Sequence, residues 1–129
     1  MDYKILIVDD SSVTRAVLKK TIGMTGFPIQ DVTQAENGNQ ALQLLRREPF
    51  DLVMADLNMP QMNGIEMTRH ILADERLKSI PVVVITTEAS TTRIEELKAV
   101  GIRGYVHKPF TAENIRNMLL EMLGAPQPS

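Results

Sequence analysis

Short apolar runs alternate along the chain with segments in which apolar residues recur at helical spacing. The runs are Lys4–Val8, Ile29–Ala35, Leu52–Ala55, Val82–Thr86 and Gly104–His107. Three of them are almost entirely apolar, which is typical of strands that are buried on both faces. The pattern therefore predicts five strands, with helices between them.

The segments between the runs predict amphipathic helices, each with one apolar face. The predicted faces are Val13, Ala16, Val17, Thr21 and Met24; Ala41, Leu44 and Leu45; Ile65, Thr68 and Leu72; and Ile115, Met118, Leu119 and Met122. Plausible N-caps precede the helices, and glycines lie where three of them should end. The N-caps are Ser11 or Ser12, Asn37, Asn63, Ser90 and Thr111, and the glycines are Gly26, Gly101 and Gly124.

Five strand–helix pairs predict an α/β fold, a doubly wound five-stranded parallel sheet with helices on both faces. One domain is expected over residues 1–124, followed by a flexible C-terminal tail at 125–129. Ligands of such sheets bind outside the carboxyl ends of the strands. The residues that directly follow each strand are therefore the candidates for function.

Composition narrows the function classes. The chain has 129 residues, 14 basic and 16 acidic, and no Cys, so disulfides and thiol nucleophiles are excluded. A net charge of −2 offers no electrostatic footprint for nucleic acid or an anionic membrane. No apolar run approaches the roughly 20 residues of a membrane span, and the first residues do not resemble a signal peptide. We expect a cytoplasmic protein.

Complementary chemistry follows four of the strands. The first strand ends in Asp9 and Asp10, the third in Asp56, the fourth in Thr86 and the fifth in Lys108. Parallel strands bring these residues to one edge of the sheet. Clustered carboxylates repel one another unless a proton or a cation relieves them, and oxygen-only ligands favour a hard ion such as Mg²⁺. A carboxylate beside a metal and a lysine can act as a nucleophile and form an aspartyl phosphate.

These residues lie in motifs that resemble the receiver domain of bacterial two-component response regulators, in particular the single-domain chemotaxis (CheY-like) type. The resemblance extends from Lys4 to about Gly124. The motifs are Ile-Leu-Ile-Val-Asp-Asp at 5–10, Met-Ala-Asp-Leu-Asn-Met-Pro-Gln-Met-Asn-Gly at 54–64, Val-Ile-Thr at 84–86 and Gly-Tyr-Val-His-Lys-Pro-Phe at 104–110. The resemblance implies a flavodoxin-like sheet with strand order 2-1-3-4-5 and five helices.

The resemblance also implies a phosphoryl acceptor and a metal site. Asp56 would accept the phosphoryl group from a histidine kinase. Asp10 and Asp56 would bind Mg²⁺, with Mn²⁺ as the alternative ion and with Asp9 acting partly through water. The backbone carbonyl of Asn58 would be a further ligand.

The fourth and fifth strands would supply the groups that respond to phosphorylation. Thr86 and Lys108 would contact the phosphoryl group, and the Lys108–Pro109 peptide is expected to be cis. Tyr105 resembles the aromatic residue that turns inward when Thr86 moves toward the phosphate. His70 and His107 are not expected to act as phosphoryl donors.

The lifetime of the phosphoryl group would depend on residues beside the path of the hydrolytic water. Asn58 and Glu88 match the pair found in chemotaxis regulators, which predicts a lifetime of seconds to minutes. Thr87 replaces the usual Ala or Gly, and its bulk would slow access. Met59 and Met62 are expected to pack beside the active-site loop.

The output would be a change of the surface formed by the fourth helix, the fifth strand and the fifth helix, read by a separate protein. Its candidate residues are Thr91, Ile94, Glu95, Lys98, Ile102, Tyr105 and Met118. A flagellar motor switch is one possible partner, although the fifth helix is poor in lysine. We expect a monomer that catalyses only its own phosphorylation and dephosphorylation.

Several alternatives remain open. Within the family, the chain could be a stand-alone regulator, which we favour, a phosphorelay intermediate, or a receiver domain cut from a larger regulator. A haloacid-dehalogenase-type phosphatase would need Asp-x-Asp at its nucleophile, and here Asn58 takes the second position. A flavin-binding module would need glycine after the first strand, where this chain has Asp9 and Asp10.

Overall fold

Five parallel strands form a single sheet in this computed structural model, which describes residues 2–57, 59, 62–87 and 90–124. The strands are β1 Tyr3–Val8, β2 Ile29–Ala35, β3 Leu52–Asp56, β4 Val82–Thr86 and β5 Gly104–His107. Their order is β2-β1-β3-β4-β5, so the expected doubly wound fold is confirmed. β3 ends in Asp56, as predicted, and β1 begins one residue earlier than predicted.

Five helices alternate with the strands: α1 Ser12–Gly23, α2 Gly38–Arg47, α3 Gly64–Ala73, α4 Thr91–Val100 and α5 Ala112–Leu123. Each begins after a predicted N-cap whose side chain accepts a hydrogen bond from a backbone N–H in the first turn. Ser11, not Ser12, caps α1. Gly101 and Gly124 end α4 and α5 as predicted, whereas Met24 is the C-cap of α1 and Gly26 lies beyond it.

The two faces of the sheet carry separate cores, because alternate strand residues point to opposite sides. Leu6, Val8 and Val53 pack with buried residues of α2 and α3, whereas Ile5 and Ile7 pack with those of α1 and α5. A smaller cluster joins Leu57 and Val84 to Leu97 of α4 and to Ile102. These cores fix the carboxyl ends of β1, β3, β4 and β5 along one edge of the sheet.

Two helices present a different face to the core from the one predicted. Leu18 and Ile22 anchor α1, while Val13 and Val17 are 71% and 51% exposed. Ala16 and Met24 of the predicted face are exposed as well. Successive residues of a helix are about 100° apart, so α1 is turned by about one residue from the predicted orientation.

α3 is turned by about one residue in the opposite direction, because it buries Met67 and Ile71, while Leu72 of the predicted face is 36% exposed. Thr68 is buried, as predicted. The predicted face of α5 is confirmed, since Ile115, Met118 and Leu119 are buried. No helix in the described ranges is both long and apolar enough to cross a bilayer. The expected tail at 125–129 lies outside the described residues.

Candidate functional site

Three carboxylates converge at the carboxyl ends of β1 and β3. Val8 pairs in register with Ala55, so Asp9 and Asp56 occupy neighbouring positions at the end of the ladder. Together with Asp10, they offer carboxylate oxygens that all lie within 4.8 Å of one another. Asp9 is buried, Asp56 is half-buried and Asp10 is exposed, so the cluster opens to solvent on one side.

Lys108 reaches the cluster from the far edge of the sheet. Its Nζ lies 3.8 Å from Oδ2 of Asp9 and 3.7 Å from Oδ1 of Asp56. The backbone N–H of Lys108 donates to the Thr86 carbonyl at 2.8 Å, which extends the β4–β5 ladder beyond the end of β5. The Lys108–Pro109 peptide is cis. The ammonium therefore lies between two carboxylates at nearly equal distances.

Burial raises the pKa of Asp9 above its ordinary value of 3.8. The backbone N–H of Ser11 opposes this rise by donating to Oδ1 of Asp9 at 2.8 Å. The negative charges of Asp56 and Asp10 raise the pKa further, and the positive charge of Lys108 lowers it. The net result is a raised pKa, so ionisation of Asp9 in the folded protein is unfavourable and the positive charge of Lys108 does not fully offset this.

The donor set fits a hard divalent cation. The cluster offers only carboxylate oxygens, with no Cys or His among its members, and one side is open to water. Mg²⁺ prefers such ligands and keeps several of its waters. Asn58, the predicted carbonyl ligand, and Glu88, its predicted partner in tuning hydrolysis, lie outside the described residues.

Thr86 and Tyr105 lie on the adjacent strands. Thr86 is only 1% exposed and pairs in register with His107 of β5. Tyr105 is 41% exposed, so its ring lies largely at the surface. The imidazole of His107 meets the Thr87 carbonyl at 3.1 Å, and His70 is exposed on α3.

The predicted output surface needs a correction. Ile102 and Met118 are 3% and 5% exposed, so the expectation that both lie on the surface is wrong. Ile102 packs against α4, and Met118 belongs to the core beneath α5. Lys98 and Tyr105 are exposed and Ile94 is half-buried, so these residues do reach solvent. Thr91 and Glu95 are exposed as well.

A groove of about 480 Å³ separates the β5 edge from α5, and Tyr105, His107, Asn117 and Met118 are among the residues that line it. Met118 therefore lines the floor or wall of this groove and does not protrude from the predicted output surface. Met59 is buried and Met62 is half-buried against the core that contains α2 and α3.

Two features of the site had no counterpart in the sequence interpretation. Nη1 of Arg15 donates to the carbonyl of Asp9 at 2.6 Å. Val13 and Val17 line, with Lys108 and the Pro109–Phe110 segment, an open cavity of about 260 Å³. The helical periodicity placed Val13 and Val17 in the core, and no sequence signal identified Arg15.

Comparison with known proteins agrees with this geometry. The family model described as the response regulator receiver domain matches residues 5–120. Chemotaxis protein CheY-3 of Vibrio cholerae is 43% identical over 118 residues, which cover 92% of this chain and 89% of that protein. Chemotaxis protein CheY of Pseudomonas aeruginosa is 42% identical over 116 residues, covering 90% and 92%.

Solved structures of a chemotaxis protein and a receiver domain are also similar to this chain. The crystallised chemotaxis protein CheY4 of Vibrio cholerae superposes with a TM-score of 0.85 at 33% identity, covering 95% of this chain and 99% of that one. The receiver domain of a sensor histidine kinase from Pseudomonas aeruginosa, solved with a magnesium ion coordinated in its active-site cleft, gives 0.83 at 26% identity, covering 97% and 100%. The chain belongs to the response regulator receiver domain family, and it is a phosphorylation-activated switch of two-component signalling.

Proposed function

We propose that this chain accepts a phosphoryl group on Asp56 and signals through its α4-β5-α5 surface. The observation that carries the proposal is the position of the Lys108 ammonium, 3.7 Å from Asp56 and 3.8 Å from Asp9. A half-buried carboxylate beside a fixed cation is a usable nucleophile, since the cation offsets the charge that arrives with the phosphoryl group. Residues 1–124 would form the receiver unit.

Asp9, Asp10 and Asp56 would hold Mg²⁺, with Mn²⁺ as a possible replacement. The ion would supply neutralisation of the charge on the transferring phosphoryl oxygens. Asp56 would attack phosphorus through a carboxylate oxygen while the P–N bond of a phosphohistidine breaks. The leaving imidazole keeps the electron pair and takes a proton from solvent. Lys108 and Thr86 would donate hydrogen bonds to the phosphoryl oxygens.

Incubation with acetyl phosphate and Mg²⁺ tests this proposal directly. We expect the intact mass to increase by one phosphoryl group, and we expect hydroxylamine to remove it, because an acyl phosphate is labile to that nucleophile. Chelation of the metal with EDTA should prevent the labelling. An unlabelled protein in Mg²⁺, or a phosphoryl group that resists hydroxylamine, would contradict the proposal.

The donor would be the phosphohistidine of a histidine kinase. The exposed Val13 and Val17 of α1 form, with Pro109 and Phe110, an apolar border next to Lys108. Exposed apolar patches of this kind mark sites of protein association. A helical donor domain that covers this border would bring its phosphohistidine to Asp56. A kinase draws its phosphoryl group from ATP, so we propose the cytoplasm as the place of transfer.

Replacing Val17 with Ser should slow phosphotransfer from the kinase by about ten-fold, because the loss of one buried apolar contact costs about 1–2 kcal/mol. The rate with acetyl phosphate should not change, since that small donor needs no docking surface. Met24→Ser is the matched control, because Met24 is also an exposed apolar residue at the far end of the same helix. Equal loss of rate with both donors would contradict a docking role for Val17.

The output would follow from the position of Thr86 beneath the surface that carries Tyr105. Thr86 is buried next to β5, so a movement of its hydroxyl toward a phosphoryl group would open space beside that strand. Phosphorylation would then shift the population between two states of the Tyr105 side chain. The chemotaxis relatives favour a chemotaxis-type effector, such as a flagellar motor switch, as the partner. Asn58 and Glu88 would set the lifetime of the signal.

The chain would act as a monomer and as an enzyme only toward its own phosphoryl group. Its product would then be a changed surface that a partner protein reads.

A further inference from the structure

Arg15 joins three elements beside the acidic cluster. Its Nη1 donates to the backbone carbonyl of Asp9 at 2.6 Å, and its Nε donates to Oε1 of Gln34 at 3.1 Å. Arg15 itself lies in the first turns of α1, Asp9 follows β1, and Gln34 is the penultimate residue of β2. One guanidinium therefore fixes the β1–α1 connection against the end of the neighbouring strand.

The shorter of the two bonds, from Arg15 to the Asp9 carbonyl, restrains the peptide that leads to Asp10. The Asp9 carbonyl is part of the planar unit that joins Asp9 to Asp10. Fixing this oxygen sets the orientation of the plane, and with it the direction in which the Asp10 side chain leaves the backbone. Asp10 is exposed, so the packing of the core does little to restrain it.

The remaining polar atoms of Asp9 are already engaged. Its backbone N–H donates to the Ala35 carbonyl at 3.1 Å, and its carboxylate accepts from the N–H of Ser11 and faces Lys108. Arg15 adds a bond to the carbonyl of the peptide that joins Asp9 to Asp10. Without the bond from Arg15, the carboxylate of Asp9 would stay in place and the carboxylate of Asp10 would lose its orientation.

We propose that Arg15 is a positioning residue for the divalent cation, and that it acts by orienting the Asp9–Asp10 peptide so that the Asp10 carboxylate faces Asp9 and Asp56. The inference rests on the proposed function, since it assigns a role to Arg15 at the proposed Mg²⁺ site. Substitution of groups that orient metal ligands typically weakens metal affinity by about 10- to 100-fold.

The direction in which metal affinity changes in Arg15→Met distinguishes an orienting role of Arg15 from a purely electrostatic one. Arg15 carries a positive charge beside a site for a cation, so a charge effect alone would make Arg15→Met bind the metal more tightly. An orienting role predicts the opposite, weaker binding in Arg15→Met by about ten-fold. Arg15→Lys retains the charge but offers only one donor atom, whereas Arg15 uses two nitrogens toward two acceptors.

The experiment is a titration of each variant with Mn²⁺, in which the EPR signal of the free ion gives the bound fraction and Mg²⁺ competition gives the Mg²⁺ affinity. We expect weaker binding in Arg15→Met and Arg15→Lys, and a smaller loss in Gln34→Met, which removes only the second bond. Lys19→Met, an exposed basic residue one turn further along α1, is the matched control and should bind like the unaltered chain.

Labelling by acetyl phosphate supplies a second readout. At limiting Mg²⁺ the Arg15 variants should be labelled more slowly than the unaltered chain, and raising the Mg²⁺ concentration should narrow the difference, because more ion offsets a weaker affinity. Tighter or unchanged metal binding in Arg15→Met would overturn the inference about Arg15 and leave the proposed function intact. An unaltered chain that binds no metal would overturn both.

Discussion

Replacing Asp56 with Asn is expected to abolish phosphorylation by acetyl phosphate. A neutral amide does not attack phosphorus, and it also removes one of the two carboxylates that face the Lys108 ammonium. Loss of a nucleophile typically lowers the rate by more than about a thousand-fold. The measurement is the fraction of labelled chain by intact mass, followed over time with Mg²⁺ in excess.

Asp31→Asn is the matched control for this variant, because Asp31 is an exposed carboxylate of the edge strand β2. It should be labelled at the unaltered rate. Circular dichroism should show that both variants retain the fold. Equal labelling of Asp56→Asn and the unaltered chain would assign the phosphoryl group to another residue and would reject Asp56 as the acceptor.

Replacing Asp9 with Asn is expected to stabilise the metal-free protein at neutral pH while weakening Mg²⁺ binding by at least about ten-fold. Asp9 is buried at 4% exposure among like charges, and ionisation there is unfavourable. An Asn side chain keeps an oxygen for the Ser11 N–H and carries no charge. We expect the free energy of unfolding to rise by about 1 kcal/mol, the usual scale of a single substitution.

The pH dependence follows from the raised pKa of Asp9. Because the folded value lies above the unfolded value of 3.8, the native state binds more protons than the unfolded state between the two. The contribution of Asp9 to stability is therefore fully present below pH 3.8 and is lost as the pH rises through the folded pKa. The Asn side chain of Asp9→Asn does not ionise, so this variant does not lose stability in that way. The difference in free energy of unfolding between Asp9→Asn and the unaltered chain should therefore be larger at pH 7.5 than at pH 4.

Urea unfolding in EDTA tests this at both pH values. Circular dichroism is the suitable signal, because the chain has no Trp and only two Tyr. Adding Mg²⁺ at neutral pH should reverse the order of stability, since a ligand at about 100 times its dissociation constant stabilises the native state by about 2.7 kcal/mol. An advantage of Asp9→Asn that is equal at the two pH values would contradict the proposed cost of ionising Asp9.

The sequence predicted most of the fold because each element carries its own local signal. Val82–Thr86 is wholly buried and consists of four apolar residues followed by Thr86. Asn37, Asn63 and Ser90 cap helices, as predicted. The order of the strands carries no such local signal, so it came from the resemblance to the receiver family. That membership also sets aside the phosphatase and flavin-module interpretations.

The predicted face of α1 was wrong for a physical reason. Val13 and Val17 follow helical spacing as well as Leu18 and Ile22 do, and the two sets lie about 100° apart on the helix. Only the tertiary position of the helix decides which set is buried, and here it is the larger side chains. Val13 and Val17, which stay outside the core, line a cavity together with Lys108. These exposed apolar residues of α1 therefore form the surface that we propose for docking of the kinase.

The residues that sequence analysis missed or misplaced act through tertiary geometry. Arg15 bonds to a backbone carbonyl, an acceptor that every residue offers, so residue type gives no sign of the pairing. Ile102 and Met118 were assigned to the output surface from the elements that the resemblance to the receiver family implies, but both are buried. Strand ends can be aligned from a pattern, whereas the rotation of a helix and the direction of a guanidinium cannot.

The three carboxylates and the single ammonium of Lys108 give the site a formal charge of −2 before any ligand binds. One Mg²⁺ would bring that total to neutrality. Phosphorylation would replace one carboxylate charge with about two on the phosphoryl oxygens, so the modified site would carry a single excess negative charge. The signal that this protein transmits would then begin as one excess negative charge at the site, which would attract the hydroxyl of Thr86 and the ammonium of Lys108.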